Sequence, residues 1–213
     1  MIADEADARR WLDALPGCDA EAMNRLIRLA ALLESENRRQ NLVSAGSLAA
    51  IWRRHIADSA QLLAHVPQGI TGSWLDLGTG AGFPGLVIAI LRPDLDLCLV
   101  EARKRRIDWL TAASRDLGLH RVRVLGARLE AIESFAAAVI SARAFAPLPR
   151  LVALAARFST RETLWLLPKG RAAAHELRDI AGAGWQHMFH VEQSLTDPDA
   201  GVIIGRLLGK RRA

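Results

Sequence analysis

The hydrophobic positions of this chain change their period near residue 72. Before it, Met23, Leu26, Ile27, Ala30 and Leu33 follow the i, i+3, i+4, i+7 spacing of an amphipathic helix. Arg25, Arg28, Arg38 and Arg39 fall on its other face. A second helix is expected from Ser47, whose hydroxyl would cap it, to Ala64, ending before Pro67. After Pro67-Gln-Gly-Ile-Thr-Gly72 short apolar runs take over, and seven strands are expected, at 74–77, 96–100, 122–125, 138–141, 163–167, 186–192 and 202–207. Helices are expected between them at 84–91, 103–117, 147–157 and 171–180, with Pro84 in a first turn and Gly118 as a C-terminal cap. Hydrophobic strands alternating with helices predict an α/β fold, a mostly parallel sheet covered on both faces. The last two strands leave little room for a helix and are expected to form an antiparallel hairpin. Residues 1–72 then read as a helical extension on a core spanning 73–213, the two forming one compact unit.

Composition narrows the classes. Of 213 residues 51% are hydrophobic, enough for a substantial core and too many for a disordered chain. The apolar stretch Gly85–Leu91 is too short to cross a bilayer, and Met1-Ile-Ala-Asp-Glu-Ala-Asp7 is acidic where a secretory leader is basic. Cys18 and Cys98 make neither a disulfide framework nor a zinc site, so both read as structural thiols and no metal is expected. The cytoplasm is the expected compartment. The net charge of +5 suits a phosphate-bearing partner, though the excess is mild and carried almost wholly by arginine. The basic end, Lys210-Arg-Arg-Ala213, reads either as a phosphate contact or as a plain tail.

The strongest local signal is Asp76-Leu-Gly78-Thr-Gly80-Ala-Gly82-Phe-Pro-Gly85, between an expected strand and an expected helix. Glycines there let the backbone approach a ligand where a Cβ would collide. The run Gly80-x-Gly82-x-x-Gly85 matches a dinucleotide fingerprint, which alone is weak. Asp76, two residues before Gly78, suits S-adenosylmethionine better: Asp76 and the Gly78, Gly80 and Gly82 backbone would hold its amino-acid end. Glu101 ends the next strand, 101 − 78 = 23 residues on, and a carboxylate there accepts from ribose hydroxyls in either cofactor class.

Further residues bear on the choice. Asn41-Leu-Val-Ser44, Arg54-His55-x-x-Asp58-Ser59, the glycine loop through Phe83-Pro-Gly85, Lys104-Arg105, Arg128-Leu-Glu130, Ser141-Ala-Arg143-Ala-Phe-Ala-Pro147 and Lys169-Gly170 occur in this order. Together, over about residues 21–170, they resemble the bacterial small-subunit ribosomal RNA guanine-N7 methyltransferase family, RsmG (GidB). The resemblance implies a Rossmann-like class I methyltransferase with an N-terminal helical extension. It implies S-adenosylmethionine as cofactor and N7 of one guanine in the decoding region of 16S rRNA as acceptor. Cofactor contacts would fall at Gly78, Phe83, Glu101, Ala102, Arg103, Leu129, Glu130 and Arg143. The chain departs from the family at Ala200-Gly201, where an Arg-His pair is frequent, and at Ala138, where an aspartate is.

Guanine N7 carries a lone pair and no proton, so its methylation needs no general base and none is expected. Arg143 and Lys169 are then positioning residues, Lys169 by an RNA phosphate or base contact. His55 reads as a packed histidine before a catalytic one, and Arg54 and Asp58 as an i, i+4 ion pair. Arg25, Arg28, Arg38, Arg39 and Trp52-Arg-Arg54 could form an RNA surface or a solvated helix face. The partner would be 16S rRNA, in the small subunit or an assembly intermediate, met by a monomer with no membrane or DNA involved. Two rival readings remain: an RNA-binding assembly factor without turnover, and a nicotinamide oxidoreductase.

Overall fold

The change of period at residue 72 is a change of architecture. A computed structural model describes residues 1–210; Arg211, Arg212 and Ala213, the end of the basic tail, lie outside the described residues. Eight strands form one sheet among them: β1 (Ser73–Leu77), β2 (Asp96–Val100), β3 (Val122–Leu125), β4 (Ala137–Ala142), β5 (Ser159–Lys169), β6 (Trp185–His187), β7 (His190–Gln193) and β8 (Gly201–Lys210). The spatial order is β3-β2-β1-β4-β5-β8-β6, with β7 also on β8. The first five strands are parallel, and β8 runs antiparallel to β5, β6 and β7.

Period-two alternation divides the strand side chains between two cores. Trp74, Leu97, Leu99 and Val139 enter one, with α5 (Gly85–Leu91) and part of α6 (Lys104–Asp116). Leu75, Leu77, Cys98, Ile140 and Trp165 enter the other, under α7 (Leu148–Ala155) and α8 (Ala173–Gly182). Both cysteines are buried and free. The strand expected at 186–192 is two strands, because Phe189 turns inward to set its ring edge-on to Trp165 at 5.9 Å.

The N-terminal helices close the first core. Helix α1 (Glu5–Asp13), which the hydrophobic pattern did not announce, buries Ala8 and Leu12. Helix α2 (Ala20–Asn37) buries Ala22, Leu26, Leu29 and Leu33; Ile27, expected on that face, is 45% exposed. The helix expected at 47–64 is broken into α3 (Ala45–Leu48), capped by Ser44 rather than Ser47, a π turn at Trp52–Ala57, α4 (Asp58–Ala60) and a 3-10 turn at Gln61–His65. The π turn keeps its place because Glu5 of α1 accepts from the backbone N–H groups of Trp52 and Arg53, both at 2.9 Å. Those bonds span 47 and 48 residues, so no local pattern could announce them. Among the described residues no helix is long and apolar enough to cross a membrane.

Candidate active site

The glycine loop stands where the chain reverses direction across the sheet, between β1 and its neighbours β2 and β4. Gly78, Gly80 and Gly82 take φ of 61°, 59° and 104°, values that favour glycine, and so bend the chain from β1 into α5. The loop is held from below. Trp74 Nε1 donates to Ser141 Oγ at 2.8 Å, Ser141 Oγ donates to Asp76 Oδ1 at 2.7 Å, and Gly85 N donates to Asp76 Oδ2 at 3.1 Å. The Trp109 indole N–H pins Ala81 O from α6 at 3.1 Å.

Asp76 therefore does a different job from the one expected. Its exposure is 0%, so no ligand atom can reach it in this conformation; it shapes the loop that a ligand would meet. Burial raises its pKa to about 6, against hydrogen bonds that favour the charged form. Phe83 is also committed. Its buried ring stacks on His55 at 4.9 Å, with the Arg143 guanidinium 5.3 Å from its centre.

The remaining cofactor candidates line up along neighbouring strand ends. Glu101 directly follows β2, with Oε1 taking the N–H groups of Ala102 at 2.8 Å and Arg103 at 2.9 Å, while Oε2 lies 3.8 Å from Arg106. Ala102 and Arg103 are exposed. After β3, the turn Leu129–Ala131 buries Leu129 and exposes Glu130; Arg157 holds the Leu129 carbonyl.

Beside the loop lies a cleft of about 990 Å³. Three groups of residues wall it: Ser44, Arg54, His55 and Asp58 from the N-terminal segment, Arg143 to Pro147 and Lys169 from the ends of β4 and β5, and Ser194, Thr196 and Asp197 before β8. Asn37 shapes the first wall, accepting from the N–H groups of Leu42 and Val43, each at 2.9 Å. Ala144 adopts φ 51°, a left-handed value unusual for a residue with a side chain. The next residue, Phe145, crosses the glycine loop: a Cβ on Gly78 would come 2.5 Å from its ring.

Arg143 is the centre of this wall. Its guanidinium donates to Arg54 O at 3.1 Å, pairs with Asp58 Oδ2 at 3.4 Å and meets His55 Nδ1 at 2.9 Å. Asp58 Oδ1 takes Gln61 Nε2 and Thr196 Oγ1, both at 2.8 Å. Burial, then the charges of Arg143 and Arg54, pushes the His55 pKa down to about 3, so the ring is neutral. Nδ1 facing a guanidinium then acts as acceptor, which places the proton on Nε2. The sequence spacing suggested an Arg54–Asp58 pair; Asp58 instead binds Arg143, 85 residues away.

Lys169 also has partners within the protein. Its side chain is 7% exposed, and Nζ donates to Glu176 Oε2 at 2.8 Å and Ala146 O at 2.9 Å, which fixes it in the cleft wall. The expected RNA face is a row of surface ion pairs: Arg25–Glu21 at 2.6 Å, Arg28–Asp116 at 2.9 Å, Arg38–Glu34 at 3.6 Å and Arg39–Glu36 at 3.4 Å. Trp52 is buried beneath Arg9 and offers no stacking surface. Arg54 remains exposed at the cleft rim.

Comparison with known proteins agrees with this architecture. The chain resembles a glycopeptide N-methyltransferase, MtfA, solved with S-adenosylmethionine, at TM-score 0.58 and 8% identity, over 70% of this chain and 92% of that one. It is similar to a methyltransferase from Aquifex aeolicus at TM-score 0.57 and 12% identity, covering 84% and 98%. At such identities the likeness shows the fold, that of a Rossmann-like class I methyltransferase. Closer relatives are named ribosomal RNA small subunit methyltransferase G. That of Novosphingobium aromaticivorans is 56% identical over 100% of this chain and 93% of its own. That of Erythrobacter litoralis is 55% identical over 97% and 98%. The family model described as rRNA small subunit methyltransferase G, GidB, matches residues 22–194, and the chain belongs to that family.

Proposed function

We propose that this protein transfers the methyl group of S-adenosylmethionine to N7 of one guanine in the decoding region of 16S rRNA. Family membership supports the RNA substrate, and the resemblance in the motifs supports N7. The cofactor half rests on one observation. The candidates succeed one another over adjacent strand ends, Glu130 after β3, Glu101 to Arg103 after β2 and the glycine loop after β1, with Ala102, Arg103 and Glu130 exposed. Three strands at ~4.8 Å spacing cover about 10 Å, which suits adenine, ribose and amino-acid end laid in that order.

The residues present fit this group. The positive-φ glycines turn the loop through a conformation that residues with a side chain rarely adopt, and Glu101 Oε2 accepts no hydrogen bond from the described residues. When bound, S-adenosylmethionine supplies a methyl group made electrophilic by its sulfonium. The chain's own work is placement, which can be worth several kcal/mol. The site also suits a reaction with no proton to remove: Asp76 is sealed beneath the loop and His55 gives its acceptor nitrogen to Arg143. Arg143 orders the wall between cofactor loop and cleft. In this reading residues 1–72 are an extension that completes the cleft of the 73–213 core. The protein acts as a cytoplasmic monomer on the small subunit or its assembly intermediate, without membrane or DNA.

The test supplies labelled S-adenosylmethionine and small subunits from a strain lacking this methylation. The RNA is then reduced and cleaved with aniline at N7-methylguanine. A single new cut in the decoding region is expected. No transfer to subunits, naked RNA or assembly intermediates would sink the proposal.

A further inference from the structure

The cleft wall at the end of β5 carries an acid–base pair that methyl transfer itself does not require. Glu176, in the first turn of α8, lines the cleft beside Lys169. Its Oε2 accepts from the Leu148 N–H at 2.8 Å as well as from Lys169 Nζ at 2.8 Å. Two donors on one oxygen fix the orientation of the carboxylate. Its other oxygen, Oε1, accepts no hydrogen bond from the described residues, although the side chain is only 19% exposed. Lys169 has a third ammonium proton beyond the two it gives to Ala146 and Glu176.

The other carboxylates of the cleft are placed differently. Both oxygens of Asp58 are taken, by Gln61 and Thr196 on one and by Arg143 on the other. Asp197 accepts from the Asp199 N–H and has no cation paired with it among the described residues. Among the described residues of the cleft, only Lys169 and Glu176 set a fixed donor and an open acceptor side by side.

That pattern matches one purine. Guanine offers an acceptor, O6, and at the far end of the same edge a donor, the N2 amino group; adenine has a donor amino group where guanine has O6, and no N2 group. We infer that Lys169 and Glu176 are the guanine-reading pair of the methyl-transfer site, with Glu176 Oε1 accepting from the N2 amino group and Lys169 facing O6. The inference rests on the methyl-transfer reading above. The order of the strands agrees with it. The end of β5 is two strand spacings from the end of β1, about 10 Å at ~4.8 Å each, so a base held there by its N2 edge turns N7 back toward the glycine loop. A carboxylate on the amino group also offsets the positive charge that the ring acquires on methylation.

The test compares small subunits assembled with guanosine or with inosine at the methylated position. Inosine keeps N7 and O6 and lacks only the N2 amino group. The wild-type protein is expected to lose about ten- to hundred-fold in kcat/KM on inosine, the worth of a hydrogen bond to a charged group. Glu176→Gln must keep its oxygen toward Lys169 and Leu148 and so turns its amide N–H toward the base. It is expected to fall by a similar factor on guanosine and to lose nothing further on inosine. Equal wild-type rates on the two substrates would overturn the proposal, and that arm needs no variant to fold. So would a Glu176→Gln protein that keeps the full penalty for inosine. Absence of transfer by the wild-type protein to guanosine subunits would instead sink the methyl-transfer reading.

Discussion

The two halves of the site, the glycine loop and the cleft, are built on different principles. The loop is made of backbone: three left-handed glycines, a strand end and a helix start, all within residues 76–85. The cleft is made of side chains from segments far apart in the chain, and its central contacts, Arg143 with Asp58 and Thr196 with Asp58, span 85 and 138 residues. A backbone site tolerates almost no added volume, whereas a side-chain site fails by degrees as its partners are removed.

The largest effect is expected from Gly85→Ala. A Cβ there would lie 2.8 Å from Asp76 Oδ2 and 2.2 Å from Leu99 Cδ2, so the carboxylate that holds the loop must move. Overpacking of this kind costs about 1–3 kcal/mol of stability. Affinity for S-adenosylmethionine, read by calorimetry, is expected to fall about hundred-fold or more. Ordinary affinity would mean that the Asp76 anchor does not set the loop.

In the cleft, Arg143→Ala is expected to leave cofactor affinity within a few-fold and to lower the rate of methyl transfer about hundred-fold, as removal of a preorganised charge does. Thr196→Val removes one donor to Asp58 and should act through Arg143, with a fall of about ten-fold in the same assay. Near-normal transfer by Arg143→Ala would remove it from the site. Equal effects of the two substitutions would mean that Arg143 serves only as part of a structural network.

This contrast explains what was legible in the sequence. The strands β1 to β5, the loop and the Gly118 cap follow from local period and turn chemistry, and each lies at or within a few residues of its expected place. The broken helix at 45–65 was not legible, because Glu5 holds its π turn from 47 and 48 residues away. The spacing of Arg54 and Asp58 pointed to a local pair, yet the π turn rotates Asp58 toward Arg143. Glu176 left no signal at all: it is an ordinary helical glutamate until β5 brings Lys169 beside it.

A smaller effect separates the halves by pH. Buried and facing Arg143, His55 is held neutral with a pKa of about 3 against an ordinary 6.5. Because the folded value is depressed for a base, its contribution to stability is complete above 6.5 and is lost as pH falls toward 3. Asp76 has the opposite slope. Its raised value, about 6 against 3.8, makes the folded state gain stability as pH falls between them. Imidazole nitrogen shifts in NMR read His55 alone, and they should stay those of a neutral ring down to pH 5. In Arg143→Ala the midpoint should rise, since a neighbouring positive charge is gone. A wild-type midpoint near 6.5 would show that the ring is open to water.

The smallest effect is expected on the outer face of α2. Arg25, Arg28, Arg38 and Arg39 each pair with a carboxylate at the surface, where such a pair is worth about 0–1 kcal/mol. An RNA phosphate would replace one anion by another, so little is gained by the exchange. Arg28 also bonds Asp116 of α6 with both oxygens engaged, at 2.9 and 3.0 Å, and releasing it would loosen a tie between helices. Glutamine at any one of the four is expected to change KM for small subunits less than two-fold. Arg54→Gln is expected to raise it several-fold, because Arg54 stands exposed at the cleft rim with no carboxylate paired to it among the described residues. A larger effect at Arg38 than at Arg54 would move the RNA path out of the cleft and onto the helical extension.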